Sequence, residues 1–162
     1  MKLKPQTTVI ASILFVVAGI LGSMALGWWQ TESSKVPQRL ETTAAAGEEA
    51  AYDPADIRGS YTLTEISDLF EIPLEELATA FAIEQDKAAA FKVKELETIY
   101  TDPASEVGTS SMRLFVAWYK ALPFELKEDS FLPAPAVQIL REKAQLSLEQ
   151  EEYLAAHTLA GE

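Results

Sequence analysis

Three observations predict an all-α fold. Two Ser/Thr-x-x-Glu/Gln capping boxes, Thr62 to Glu65 and Ser147 to Gln150, each stand directly before an apolar stretch. Prolines fall at the edges of helical patterns: Pro73 and Pro135 before them, Pro103 and Pro123 after them. No run alternates apolar and polar residues over strand length with turn signals at both ends. The expected architecture is one N-terminal transmembrane helix followed by a small helical domain. That domain should hold about five or six short helices and contain a helix-turn-helix-like unit.

The totals set bounds on function. With 162 residues there is room for one modest domain plus accessory segments. A net charge of −12 disfavours general nucleic-acid affinity, because phosphate binding needs a basic surface. There is no cysteine, hence no disulfide, thiolate metal site or cysteine nucleophile, and the one histidine is His157.

Residues 1–6 carry Lys2 and Lys4 and no acid, and read as a cytoplasmic N-terminus. From Thr7 to Trp29 no residue is charged, a run of 23. At about 1.5 Å per residue such a helix spans a hydrocarbon core of about 30 Å. Trp28 and Trp29 close the run, where indole rings favour the headgroup layer. The basic N-terminus places everything after Trp29 outside the cytoplasm, in the cell membrane's single-pass, N-in topology. The alternative is a cleaved signal peptide, with Ser23-Met24-Ala25 as the site. The apolar run continues past it to Trp29, so an uncleaved anchor, residues 7–29, is expected. Gly19, Ser23 and Gly27 recur every four residues on one helix face, which lets another helix approach closely. Other membrane subunits and the bilayer itself are the expected partners.

Residues 30–55 have no sustained apolar period and read as a flexible tether. The soluble domain is then 56–162, with the helix-turn-helix-like unit at 56–100 and C-terminal helices at 109–159. In the unit, Thr62 caps a helix whose Leu63, Ile66, Leu69 and Phe70 follow helical spacing. Glu71-Ile72 is the turn, Pro73 suits the first position of the next helix, and Leu74, Leu77, Ala78 and Phe81 form its inner face. Gly59 allows a sharp bend ahead of the pair. Phe91, Val93, Leu96, Ile99 and Tyr100 make a third, partly helical element closing over it.

Gly108 to Ser111 offers a cap for a helix running through Met112–Leu122, apolar on nearly every face and interrupted only by Arg113 and Lys120. Such a helix belongs at the centre of the domain. Pro135 starts another helix, and Ser147 opens a last one reaching Leu159.

A helix-turn-helix that reads DNA holds phosphates with basic side chains around its second helix. Here Glu65, Asp68, Glu71, Glu75 and Glu76 lie between Tyr61 and Ile83 with no base among them. No nucleic acid is expected as a partner, and these five acids form a face for a basic partner or plain solvent. His157 reads as a surface helix position, with a general-base role as the lesser alternative. No catalytic constellation, phosphate loop or zinc signature is present, and adjacent acid pairs such as Glu151 and Glu152 diverge on a helix, so no enzyme activity, cofactor or metal is expected. Asp53 and Asp56 lack calcium-loop spacing. Trp118, Tyr119, Phe124 and Phe131 are candidate core residues and, alternatively, a groove for a ligand or partner.

The sequence Asp56-Ile57-Arg58-Gly59, Thr62, Glu65-Ile66 and Ile72-Pro73-Leu74-Glu75-Glu76-Leu77 resembles a small helical module. That module belongs to membrane proteins of bacteria and archaea and is often appended to membrane-bound iron–sulfur (polyferredoxin-like) electron-transfer proteins. The resemblance implies an accessory role beside a membrane redox system. Without cysteine, this chain holds no cysteine-ligated cluster, and no functional residue carries over.

The readings converge on a membrane-anchored accessory protein with an acidic extracytoplasmic helical domain. The alternatives are an extracytoplasmic module binding a small ligand or peptide, and a cytoplasm-facing tethered regulator.

Overall fold

Capping chemistry decides where the helices begin. The computed structural model describes residues 36–40, 50–101, 105–125 and 130–159, all within the compact unit Val36–Glu162. Helix α1 is Leu63–Phe70. Its predicted capping box forms: Thr62 Oγ1 accepts from the Glu65 N–H at 3.2 Å, and Glu65 Oε2 accepts from the Thr62 N–H at 2.7 Å. Leu63, Ile66 and Phe70 are its buried face. Helix α2 is Leu74–Ala80, and Pro73 is its N-cap rather than its first residue. The Pro73 carbonyl takes the Leu77 N–H at 3.1 Å. Helix α3 is Gln85–Ala88, and a 3-10 turn at Val93–Glu95 runs into α4, Leu96–Ile99. The expected third element is thus two short helices, and Ile99 lies half exposed instead of closing over the pair.

Three helices stop in the same way. Helix α5, the central one, is Thr109–Tyr119. Beyond α1, α2 and α5 stand Glu71, Ala82 and Ala121, each left-handed with φ of 51°, 52° and 52°. In each case the next N–H reaches back five residues to a helix carbonyl. Ile72 bonds to Ser67 at 3.3 Å, Ile83 to Ala78 at 2.8 Å and Leu122 to Ala117 at 2.7 Å. This closes the last turn and satisfies carbonyls that a helix end otherwise leaves open. It also corrects the expected range of α5. The helix starts at Thr109, because Ser111 Oγ accepts the Gly108 N–H at 3.2 Å, and it ends before Ala121, ahead of Pro123.

Gly59 lies in the expected bend, a turn closed by Tyr61 N–H to Arg58 O at 3.0 Å, and it also serves close approach. A Cβ there would lie 3.1 Å from Lys94 Cβ and 3.2 Å from Thr109 Oγ1. The segment before α1 pairs with the segment after α3, through Val93 N–H to Tyr61 O at 2.9 Å and Lys94 N–H to Gly59 O at 2.9 Å.

The C-terminal part holds α6, Ala134–Lys143, and α7, Leu148–Ala156. The second predicted box forms, with Ser147 Oγ accepting from Gln150 at 3.2 Å and Gln150 Oε1 accepting from Ser147 at 2.8 Å. Two features differ from expectation. The last helix stops at Ala156, and Thr158–Leu159 (β2) pairs in parallel with Leu132–Pro133 (β1). The ladder is two residues long, too short for any alternating pattern to register in sequence. Among the described residues there are therefore seven α-helices, more than expected, and one two-stranded ladder. No described helix is long and apolar enough to cross a membrane. The predicted anchor at 7–29, with Gly19, Ser23 and Gly27, lies outside the described residues.

Helix α5 is the hub. Met112, Leu114, Phe115, Val116, Ala117 and Trp118 are buried, as expected of a helix apolar on nearly every face. Phe115 packs edge-on against Phe81 of the α2 terminus, centroids 5.6 Å apart. Trp118 packs edge-on against Tyr153 of α7 at 5.7 Å. Helix α2 also packs on α6. Part of the expected tether belongs to this unit: Arg39 bridges antiparallel to Tyr52, whose ring meets Phe70 edge-on at 6.4 Å. Asp53 caps a 3-10 turn at Pro54–Asp56.

Candidate functional site

After α5 the chain turns at Ala121, and the described residues 122–125 and 130–131, here called the return strand, end with Phe131 N–H 3.4 Å from Glu106 O. Between this return strand, α5 and the 3-10 turn lies a cavity of about 470 Å³. Ser110 and Arg113 of α5 line it, together with Asp53 and Ala55 of the 3-10 turn region. Pro123, Phe124, Glu125, Ser130 and Leu40 complete the lining.

Arg113 is the one charged side chain on the inner half of α5. It is half buried, and its Nε donates to Ile57 O at 2.8 Å, tying the central helix to the segment ahead of α1. Asp53 spends Oδ1 on the Ala55 N–H at 2.8 Å, which holds the turn that carries it. Among the described residues, Arg113, Asp53 and Glu125 form no ion pair with one another or with any other side chain. The cavity wall thus presents one cation and two carboxylates beside the apolar surfaces of Phe124, Pro123 and Leu40.

The four aromatic residues, read as core and alternatively as one groove, all pack against the core but at different places. Only Phe124 lines the cavity. Trp118 is 6% exposed and belongs to the core. Tyr119 lies against Phe115 at 5.7 Å and donates its hydroxyl to Glu76 on α2. Phe131 lies over His157 at 5.1 Å. His157, expected on a helix surface, is the C-cap of α7, half buried and stacked on Tyr153 at 3.9 Å with ring planes 7° apart. Its Nδ1 lies 2.9 Å from the Tyr153 carbonyl. The neighbouring Tyr153 hydroxyl accepts the Ser130 N–H at 2.8 Å, so this aromatic stack pins the end of the return strand.

The five acids of the helix-turn-helix-like unit also divide. Glu65 is spent on the α1 cap, and Glu71 lies 3.6 Å from Lys120 with its side chain almost wholly exposed. Glu76 is held inside a polar cluster, paired with Lys143 of α6 and bonded to the Tyr119 hydroxyl. Burial opposes its ionisation, but the bonds from Lys143 and Tyr119 outweigh that and hold its pKa below the ordinary carboxylate value. Burial, then the bond to Glu76, pushes the Tyr119 phenol up to about 12. Asp68 and Glu75 remain on the exposed face. A shallower groove of about 320 Å³ runs beside this cluster, bordered by Glu75, Thr79, Gln85 and Ile139.

Among the described residues no group of three or more His, Cys, Asp or Glu side chains is placed to hold a metal ion. Among the cavity residues, sequence alone assigns a binding role only to Phe124, as a candidate groove residue, and Asp53 lacks calcium-loop spacing. Their signal was a lone arginine inside an otherwise apolar helix, a position that needs either a partner or a purpose. Comparison with protein-family models, curated proteins and solved structures gives no match to this chain.

Proposed function

We propose that the chain is a membrane-anchored accessory protein whose acidic helical domain acts outside the cytoplasm through interaction with other subunits of a membrane assembly, with no chemistry of its own. The observation that carries this reading is the uncharged run Thr7–Trp29 behind Lys2 and Lys4, a hydrophobic length that matches a bilayer, joined to a separately cored domain. Gly19, Ser23 and Gly27 supply the helix-packing face, and Asp68, Glu71 and Glu75 an exposed acidic one. The resemblance of the Asp56 to Leu77 stretch points to a redox complex as the assembly. Purification in mild detergent, crosslinking and mass spectrometry test it. Recovery with other membrane subunits is expected, weakened by Ser23→Leu, and a chain recovered alone and monomeric overturns the reading.

A second reading, a module that binds a small ligand, is favoured by the cavity at Arg113 and Phe124. Its volume lies in the range of small-molecule sites, about 300–1,000 Å³. Native mass spectrometry of the full chain in detergent tests it. A retained small molecule, lost from an Ala55→Trp variant whose side chain fills the cavity, is the expected outcome. Its absence in the native chain counts against the reading.

A further inference from the structure

We propose that the cavity on α5 takes a ligand carrying both a carboxylate and an ammonium group, the size of an amino acid or a dipeptide. The inference rests on the ligand-binding reading and names the chemistry of that site.

Charge selects the ligand class. Arg113 uses only Nε, on Ile57 O, and its two Nη groups have no partner among the described residues. A guanidinium in that state offers paired donors to a carboxylate. Asp53 keeps Oδ2 unbonded among the described residues while Oδ1 holds the turn, and Glu125 adds a second carboxylate to the same cavity. A simple anion such as phosphate would meet two carboxylates for one guanidinium and be repelled on balance. A simple cation would leave the half-buried guanidinium uncompensated. A ligand with both charges satisfies both sides of the wall.

Shape agrees with charge. Phe124, Pro123 and Leu40 give the lining apolar surface suited to a side chain, and a volume of about 470 Å³ holds an amino acid or a dipeptide. The frame is firm at Arg113 and Asp53. Arg113 is on the longest described helix, Asp53 is fixed by its own cap bond, and Ser130 at the cavity edge is held by Tyr153.

The test is calorimetric titration of the full chain in detergent with L-phenylalanine, L-leucine and glycyl-phenylalanine. The controls are 3-phenylpropionate, which lacks the ammonium group, and phenethylamine, which lacks the carboxylate. At least one zwitterion should bind with a dissociation constant of about 1 mM or tighter, and both controls about tenfold or more weaker. Asp53→Asn keeps a capping side chain and should cost about tenfold in zwitterion affinity. Arg113→Gln should do the same, and where it disturbs folding, Asp53→Asn decides alone. Controls that bind as tightly as the zwitterions, or zwitterion affinity unchanged in Asp53→Asn, overturn the ligand class while leaving a binding site in place. No heat from any probe overturns the ligand class as well, and the native mass spectrum then judges the binding reading separately.

Discussion

The Tyr119 hydroxyl donates to Glu76 Oε2 at 2.6 Å, joining the end of the central helix α5 to the first turn of α2 across 43 residues of chain. Lys143 of α6 pairs with the other carboxylate oxygen, so one glutamate links three helices. A residue expected on a face for a basic partner or plain solvent is therefore an internal strut.

Glu76→Gln should destabilise the fold by about 1 kcal/mol at neutral pH, a figure discounted because Lys143 is about half exposed. The folded pKa of Glu76 is depressed, so its contribution is present above the ordinary value of 4.5 and lost as pH falls through the folded value. Urea denaturation of wild type and variant across acid pH should show the difference shrinking below about pH 4.5. A constant difference down to strong acid would contradict the pairing.

Tyr119→Phe tests the same cluster from the alkaline side. The phenol is raised from 10 to about 12, so its stabilisation is whole below pH 10 and lost as pH rises through about 12. The variant should be about 1 kcal/mol less stable at neutral pH. It should also lack this part of the wild-type alkaline loss, read by denaturation and by the tyrosinate absorbance.

Ala82→Gly and Ala121→Gly should each stabilise the protein. Both alanines are left-handed, with φ of 52°, a conformation that crowds Cβ against the following carbonyl. Glycine removes that strain at some cost in unfolded-chain entropy, for a net gain of about 0.5–1 kcal/mol each. Ala78→Gly, buried within α2, should lose stability instead. Thermal midpoints of the three variants give opposite signs for the two classes.

Gly59→Ala should cost about 1–3 kcal/mol, because the new methyl meets Lys94 Cβ at 3.1 Å and Thr109 Oγ1 at 3.2 Å where the chain pairs with Val93–Glu95. Gly108→Ala meets only the flexible side chain of Glu97, at 3.1 Å from Cγ, and should be milder. Denaturant midpoints order the two, and a larger loss at Gly108 would refute the contact at Gly59.

Phe115→Ala removes a fully buried ring that touches both Phe81 and Tyr119. A loss of about 3–5 kcal/mol is expected, a large share of a domain's whole stability. Near-ultraviolet circular dichroism should report the loss of fixed packing around Trp118.

Local chemistry was legible. Thr62, Glu65, Ser147 and Gln150 announce helix starts because a capping box is a bargain among residues three apart, and the structure forms both boxes. The burial of α5 follows from its composition alone. Helix ends were less legible, because Glu71, Ala82 and Ala121 adopt a conformation that glycine usually announces. The ladder between Leu132–Pro133 and Thr158–Leu159 joins segments far apart in the chain and leaves no periodic trace.

By itself the sequence determined the helical class, the caps, the apolar centre and the acidic balance, all of which depend on neighbours within a few residues or on totals. Only the tertiary structure decided which acids are spent on struts, that four aromatic residues part company, and that Arg113, Asp53 and Phe124 border one cavity. Those relations depend on how the return strand and the 3-10 turn close against α5. Such long-range packing is a property of the whole set of contacts, and no single stretch of residues encodes it.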